Sequence, residues 1–413
     1  MTMAFPDSDI WRRHIREAIG EDRAGVLESA LCESPSVSVR LNPDKPCAVP
    51  SGAARVPWSP HGYILGERPN FTLDPLFHAG CYYVQDSSAM FAGHVFRHLT
   101  AELFPGQEPL RVLDLCAAPG GKTTDLAASL RERNGGGNTL VSNEVMRGRA
   151  AVLSDNVARW GDPDVTVTSC DPAAFARFAG YFDVILADVP CSGEGMFRKD
   201  PGAVRDWSPD AVALCAARQR RILSDAWPCL REGGLLVYAT CTFNRSENDG
   251  NVAWICDSLG AETLRLPGGA LFEGILPVES GYLLIPGYVP GEGQYVAALR
   301  KTAPSGCGGW TDLGLLRPLR RGVPRPETKG SRQVPTEDMA LSLSFDAAAW
   351  PVVDVDRETA LKYLHRDSFS LPGEPAGYLA LSYMGHPLGF VKNLGSRCNN
   401  LHPQGRRILM DIS

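Results

Sequence analysis

The chain of 413 residues has no Cys-x-x-Cys pair, although it carries 12 cysteines. That absence removes zinc knuckles and thioredoxin-like redox motifs, which need paired thiolates at that spacing. Most scattered cysteines in such a chain are small buried hydrophobes. No uninterrupted apolar stretch reaches the ~20 residues of a membrane helix. The start, Met1-Thr2-Met3-Ala4-Phe5-Pro6-Asp7-Ser8, lacks the basic-then-apolar pattern of a secretory signal. A cytoplasmic monomer with no membrane partner and no metal is therefore expected. Positive charge is also short: the formal net charge is -6, against a bulk basic nucleic-acid binder. The local exception holds Arg317, Arg320, Arg321, Arg325, Lys329 and Arg332 against only Glu327, a run that reads first as a solvated linker. No repeat recurs at a solenoid period.

What is present has the texture of a globular protein of two or three domains, 44% hydrophobic and 21% charged. Ile10, Trp11, Ile15, Ala18 and Ile19 alternate with Arg12, Arg13, Arg16 and Glu17 at a helical period. Ser36-Val37-Ser38-Val39-Arg40-Leu41-Asn42-Pro43 alternates as a strand that the proline stops. Residues 1–75 are thus read as a small α+β module. From Arg111 onward strands and helices alternate. Arg111–Leu115, Thr139–Asn143, Val165–Ser169, Phe182–Ala187 and Leu235–Ala239 are the strands. The clearest helix covers 208–230, with Ser208 as cap, Pro209 in its first turn and Gly233-Gly234 as its end. Residues 76–302 are expected to form a Rossmann-like, doubly wound α/β sheet. Residues 303–340, including Ser305-Gly306-Cys307-Gly308-Gly309, read as a linker. Residues 341–413 form a β-rich tail with runs Gly377–Tyr383 and Leu388–Lys392 split by Gly385-His386-Pro387.

Two cysteines close apolar runs, in Asp188-Val189-Pro190-Cys191-Ser192-Gly193 and in Ala239-Thr240-Cys241-Thr242. In an open α/β sheet ligands bind outside the carboxyl ends of the strands. Both thiols should therefore face one crevice with the turn Cys116-Ala117-Ala118-Pro119-Gly120-Gly121-Lys122. A thiol pair beside such a turn suits chemistry that makes a covalent bond and later breaks it. The turn admits two readings. A phosphate-binding loop needs G-x-x-x-x-G-K-[ST]; Gly121-Lys122-Thr123 fits, but the first glycine is Cys116. S-adenosylmethionine, with no phosphate, needs only close backbone approach to its methionine part. Glu144, ending the second strand, can accept from ribose hydroxyls, and Asp171, ending the third, can accept from an adenine amino group. Both are also ordinary cap positions.

These motifs, with Tyr82-Tyr83-Val84-Gln85-Asp86-Ser87-Ser88-Ala89-Met90, resemble the Nop/Sun-type RNA (cytosine-5)-methyltransferases over roughly 36–300. Val189 departs from the usual alanine and removes no functional group. The resemblance implies an RNA-recognition-like N-terminal module. It also implies S-adenosylmethionine as cofactor, held by Cys116 to Lys122, Glu144, Arg149, Asp171 and Asp188. Cys241 is implied to be the thiolate that adds to cytosine carbon 6, making carbon 5 nucleophilic enough to take the methyl group. Asp188 is implied at the N3 edge, and Cys191 in loss of the carbon-5 proton and enzyme release. Lys122 orients Asp188 or the base, or holds Cys241 as thiolate. Enzymes that methylate exocyclic nitrogens usually carry Asn/Asp-Pro-Pro-aromatic where this chain has Asp-Val-Pro-Cys. The tail from Tyr378 to Pro403 resembles the PUA-like module of a bacterial ribosomal-RNA branch of the family. Lys392, Arg397, Arg406 and Arg407 there, with Arg198 and Lys199 beside the cysteine loop, are read as contacts to RNA phosphates. Ribosomal RNA or a small-subunit particle is the expected partner. Transfer RNA methylation by the same chemistry, a non-catalytic assembly factor and a P-loop hydrolase are the rivals.

Overall fold

A computed structural model describes residues 9–306, 309–323, 325–330 and 332–412, and no side chain of Lys329 or Arg332. Met1–Ser8 and the Cys307-Gly308 part of the expected linker lie outside the described residues. The N-terminal helices α1 (Asp9–Ile19) and α2 (Glu21–Leu31) precede a four-stranded antiparallel sheet. Its strands are β1 (Val37–Leu41), β2 (Ala54–Arg55), β3 (Gly62–Leu65) and β4 (Tyr82–Val84), in the order β2-β3-β1-β4. In α1 the apolar stripe is narrower than its sequence suggests. Trp11, Ile15 and Ile19 are buried, while Ile10 is 56% exposed, because it falls one position off the face that a 3.6-residue period turns inward.

The central sheet has β5 (Arg111–Asp114), β6 (Thr139–Asn143), β7 (Val165–Thr168), β8 (Phe182–Asp188) and β9 (Leu230–Thr240). They run parallel in the order β9-β8-β5-β6-β7, the doubly wound arrangement expected. β10 (Ala261–Leu264), β11 (Leu276–Pro277), β12 (Tyr282–Leu284) and β13 (Gln294–Lys301) follow, and β13 joins β9 antiparallel. The five parallel strands read as continuous apolar runs because both faces are covered. Leu113, Ile185 and Leu236 pack into one core together with Trp11 and Ile15 of α1. Val112, Val184 and Val237 pack into the opposite core with Phe91 and Leu126. Full burial of such a side chain is worth about 1.5–3 kcal/mol.

The helix beginning after Ser208 is Pro209–Ala226, and Ser208 Oγ accepts the Ala211 N–H as its cap. It ends earlier than the sequence suggests, because Pro228 cannot continue the i to i−4 ladder; a single tight turn, Trp227–Cys229, leads straight into β9. Gly233 therefore does not stop a helix. It sits inside β9 at φ 72°, near a shift in the β8–β9 register, the kind of irregularity that glycine accommodates without strain.

The expected linker is partly ordered: β14 (Arg320–Arg321) joins the central sheet beside β7, and β15 (Glu327–Lys329) pairs with β16 (Arg332–Val334) in a separate two-stranded sheet. The tail is a four-stranded sheet of β17 (Val352–Asp354), β18 (Gly377–Tyr383), β19 (His386–Asn393) and β20 (Cys398–Asn400). His386 and Pro387 belong to β19, and Met384-Gly385 alone makes the turn. Lys45, 8% exposed, ties the three units together. Its ammonium donates to the carbonyls of Ala79 (2.9 Å), Arg159 (2.8 Å) and Leu341 (2.6 Å).

Candidate active site

The carboxyl ends of β5, β6, β8 and β9 open on a cavity of about 750 Å³. Asp188 pairs with Ala239 across β8 and β9, so Cys191 and Cys241 leave neighbouring strand ends three and two residues later. Their sulfurs lie 3.2 Å apart. The hydrogen bond to Cys241 and burial together push the Cys191 thiol well above the ordinary cysteine range. Cys191 therefore holds its proton, and either sulfur can donate in the contact. Lys122 Nζ donates to Asp188 Oδ2 at 2.7 Å. Burial alone would lower the Lys122 pKa, but the Asp188 charge and hydrogen bond, aided by the Cys241 sulfur and Asp114, raise it. The ammonium thus faces both a carboxylate and the Cys241 sulfur. Val189 is buried in the wall of the same cavity.

At the other end the turn from Cys116 to Lys122 runs into the helix Gly121–Asn134. Gly120 has φ 112°, and a Cβ there would meet Leu153 Cδ1 at 3.1 Å, so the turn needs its glycine. Arg40 of β1 braces that helix from behind. It is buried, donates to Gln85 Oε1 at 2.9 Å and to the Gly121 carbonyl at 3.2 Å, and stacks over Trp160. Glu144 is 4% exposed at the end of β6; it accepts from the Met146 N–H at 2.9 Å and meets Arg149 at 3.3 Å. Arg149 also donates to the Ala118 carbonyl at 2.9 Å, closing the turn. Asp171 is exposed; it caps the turn Pro172–Arg177 through the Ala173 N–H and lies 3.5 Å from Arg221. Behind the turn, burial pushes Asp114 up to about 7; its Oδ2 accepts from Thr123 at 2.6 Å, while among the described residues Oδ1 meets no hydrogen-bond partner.

These residues suit S-adenosylmethionine better than a nucleoside triphosphate. A P-loop lysine must be free to reach phosphates, whereas Lys122 is engaged by Asp188. A buried acid, Glu144, stands where a ribose hydroxyl can be accepted, and the turn offers backbone rather than cations.

The RNA contacts named from sequence fare unevenly. Arg198 is not at the surface: it is 8% exposed, bonded to Glu292 at 2.8 Å, to the Gly291 carbonyl at 2.8 Å and to the Ala30 carbonyl at 3.3 Å. That network occupies its donors, so it braces the cysteine loop instead of meeting RNA. Arg406 is likewise engaged by Asp155, Glu337 and Asp338. Lys199 is exposed and lies 2.7 Å from Asp86; Lys392 lies over the Tyr378 ring; Arg397 and Arg407 are exposed. Sequence reading missed Arg218 and Arg221, which line the cavity. Their signal was two arginines, three positions apart, on the helix face that also carries Ile222. It also missed Glu194 and Glu247, buried beside the cysteines, which as isolated acids give no local signal.

Comparison with known proteins agrees with this geometry. Residues 101–300 match the model of the 16S rRNA methyltransferase RsmB/F family. Residues 10–87 match the N-terminal domain of 16S rRNA methyltransferase RsmF, and 351–408 match the methyltransferase RsmF PUA domain. Ribosomal RNA small subunit methyltransferase F of Escherichia coli O7:K1 is 31% identical over 478 aligned positions, covering 98% of this chain and 96% of the relative. The protein of that name from Shigella boydii serotype 4 is 31% identical with the same coverage. The chain belongs to this family. It is therefore an RNA methyltransferase dependent on S-adenosylmethionine. Among solved structures, a methyltransferase homologue from Pyrococcus horikoshii is 25% identical with a TM-score of 0.59, covering 71% of this chain and 95% of that one. NSun6 from Pyrococcus horikoshii, solved with SFG, is 19% identical with a TM-score of 0.59, covering 72% and 98%, and shares the fold. Among the described residues no helix is long and apolar enough to cross a membrane.

Proposed function

We propose that this protein methylates carbon 5 of a cytosine in small-subunit ribosomal RNA through a covalent adduct of Cys241 with carbon 6. The observation that carries the reading is the pair of sulfurs 3.2 Å apart beside the Lys122–Asp188 ion pair. Bound S-adenosylmethionine supplies an electrophilic methyl group on a sulfonium. The turn Cys116–Lys122, with Glu144, Arg149, Asp171 and Asp188, would hold it, Glu144 and Asp171 exchanging local bonds for bonds to ribose and adenine. The Cys241 thiolate, facing the Lys122 ammonium, adds to carbon 6. The proton taken up at N3 comes from the Lys122–Asp188 pair, and the displaced electron pair makes carbon 5 the nucleophile.

Cys191 then has a different environment from the one it has in the free site. Its thiol is held protonated there by the Cys241 sulfur; once that sulfur is bonded to carbon 6, the charge opposing deprotonation is gone. Cys191 gives its proton to solvent and, as thiolate, takes the proton of carbon 5; the ring double bond re-forms, Cys241 leaves as thiolate, and the N3 proton returns to the Lys122–Asp188 pair. The target base must leave any stack to reach this depth, with Arg218, Lys199, Lys392, Arg397 and Arg407 available to phosphates. The test is methyl transfer from labelled S-adenosylmethionine to ribosomal RNA from cells lacking the gene, digested to nucleosides. Label in 5-methylcytidine is expected; label in any other nucleoside overturns the two-cysteine chemistry.

A further inference from the structure

Two buried glutamates have no part in the chemistry above. Glu194 follows Cys191 by three residues and Glu247 follows Cys241 by six, and both are 0% exposed. Among the described residues no lysine or arginine lies within ion-pair distance of either; the basic group within reach is the His14 imidazole, 3.6 Å from Glu194. Buried acids without a cation are costly unless N–H donors answer them, and here the donors come crosswise. Glu194 Oε2 accepts the backbone N–H of Phe243 at 2.8 Å and of Asn244 at 3.2 Å, both just past Cys241. Glu247 accepts the N–H of Ser192, next to Cys191, at 3.1 Å. The Asn244 amide joins the two acids, at 3.3 Å from Glu194 and 2.8 Å from Glu247. Each acid is fixed from outside as well, Glu194 by the Trp207 indole at 2.9 Å and Glu247 by the Gln219 amide at 2.7 Å.

We propose that Glu194 and Glu247 are positioning residues that form a reciprocal clasp between the two cysteine loops and set the Cys191–Cys241 separation. Each loop contributes the acid that holds the other loop's backbone, so neither loop can shift its cysteine without breaking bonds on both. The backbones are already in contact where the loops meet. The Gly195 N–H donates to the Cys241 carbonyl at 2.8 Å, and a Cβ at Gly195 would stand 2.9 Å from that carbonyl oxygen. The consequence for turnover rests on the function proposed above; the separation itself does not. Of the two cysteines, addition at carbon 6 needs only Cys241, whereas release needs Cys191 within reach of carbon 5, so a loosened clasp should slow release more than addition.

Glu194→Gln and Glu247→Gln keep side-chain volume but leave one acceptor oxygen where the native acid uses two. The first readout needs no RNA. Diamide, a diazene, takes one hydrogen from each thiol and becomes the hydrazine, joining Cys191 to Cys241 as a disulfide that peptide mass spectrometry quantifies. Both variants should bridge at least about tenfold more slowly than the parent, since a displacement of ~1 Å can cost about a hundredfold, with melting temperature and S-adenosylmethionine affinity retained. With RNA they should lose kcat without raising KM and accumulate protein–RNA adduct on denaturing gels. Bridging at the parental rate overturns the clasp, and so does unfolding of both variants, because the acids would then serve the fold as a whole. Slow bridging without adduct keeps the clasp and counts against the proposed reaction.

Discussion

At the cysteine end of the cleft, side chains are answered by groups far away in sequence: Glu194 by Phe243 and Asn244, Glu247 by Ser192 and Gln219, Arg198 by Glu292. At the cofactor end Asp171 answers to a backbone N–H two residues on, and Glu144 to the N–H of Met146 and to Arg149. The first arrangement is fixed before any substrate arrives, as the two-sulfur chemistry proposed above would require. The second holds acids in local bonds that a ligand can replace at small cost, since an intramolecular hydrogen bond nets only about 0.5–1.5 kcal/mol. One cleft thus combines a preorganised half with an exchangeable half.

The sharpest way to break this division is Cys241→Ala. Methyl transfer should vanish while S-adenosylmethionine affinity, measured by calorimetry, stays within about twofold, or ~0.4 kcal/mol. Cys191→Ala should leave addition intact and trap the protein on its RNA, seen as a covalent species on denaturing gels that the parent does not accumulate. At the other end, Glu144→Gln should weaken cofactor binding by about ten- to hundredfold, roughly 1.4–2.8 kcal/mol, without altering the diamide bridging of the cysteines. Asp114 offers a comparison in pH. Its folded pKa is raised to about 7 by burial, so the native state keeps a proton that the unfolded chain has released. Stability should therefore fall as pH rises from about 4 to 7, and Asp114→Asn should flatten that slope by up to about one proton in urea unfolding. The smallest effect belongs to Arg397→Ala, expected to lower the salt slope of RNA binding by about 1 while leaving site choice unchanged.

Much of this cleft was legible in the sequence because its scaffold follows local rules. The five parallel strands read as apolar runs since each is covered on both faces, and Ser208 announced its helix by side-chain chemistry alone. The cysteines and the turn were legible as motifs. What could not be read depends on partners far along the chain. Arg198 beside Lys199 looks like a basic surface pair until Glu292, 94 positions later, meets it in the interior. Arg320-Arg321 has no strand propensity and becomes one because the edge of β7 offers unpaired backbone groups. Glu194 and Glu247 acquire meaning only when two loops 50 residues apart touch.

The ties that hold the PUA sheet bear on where the protein acts. Lys45 reaches three units at once, and Arg406 of the tail grips Asp155 on the catalytic helix Arg147–Trp160 at 2.7 Å and Glu337 at 2.8 Å. The linker cannot act as a free tether, since β14 is stitched into the catalytic sheet. The tail is therefore a caliper arm of constant reach. On the RNA contacts proposed above, an RNA seated on it would present to the sulfurs whichever nucleotide lies one fixed span away, making target choice a matter of length and shape as much as of base identity.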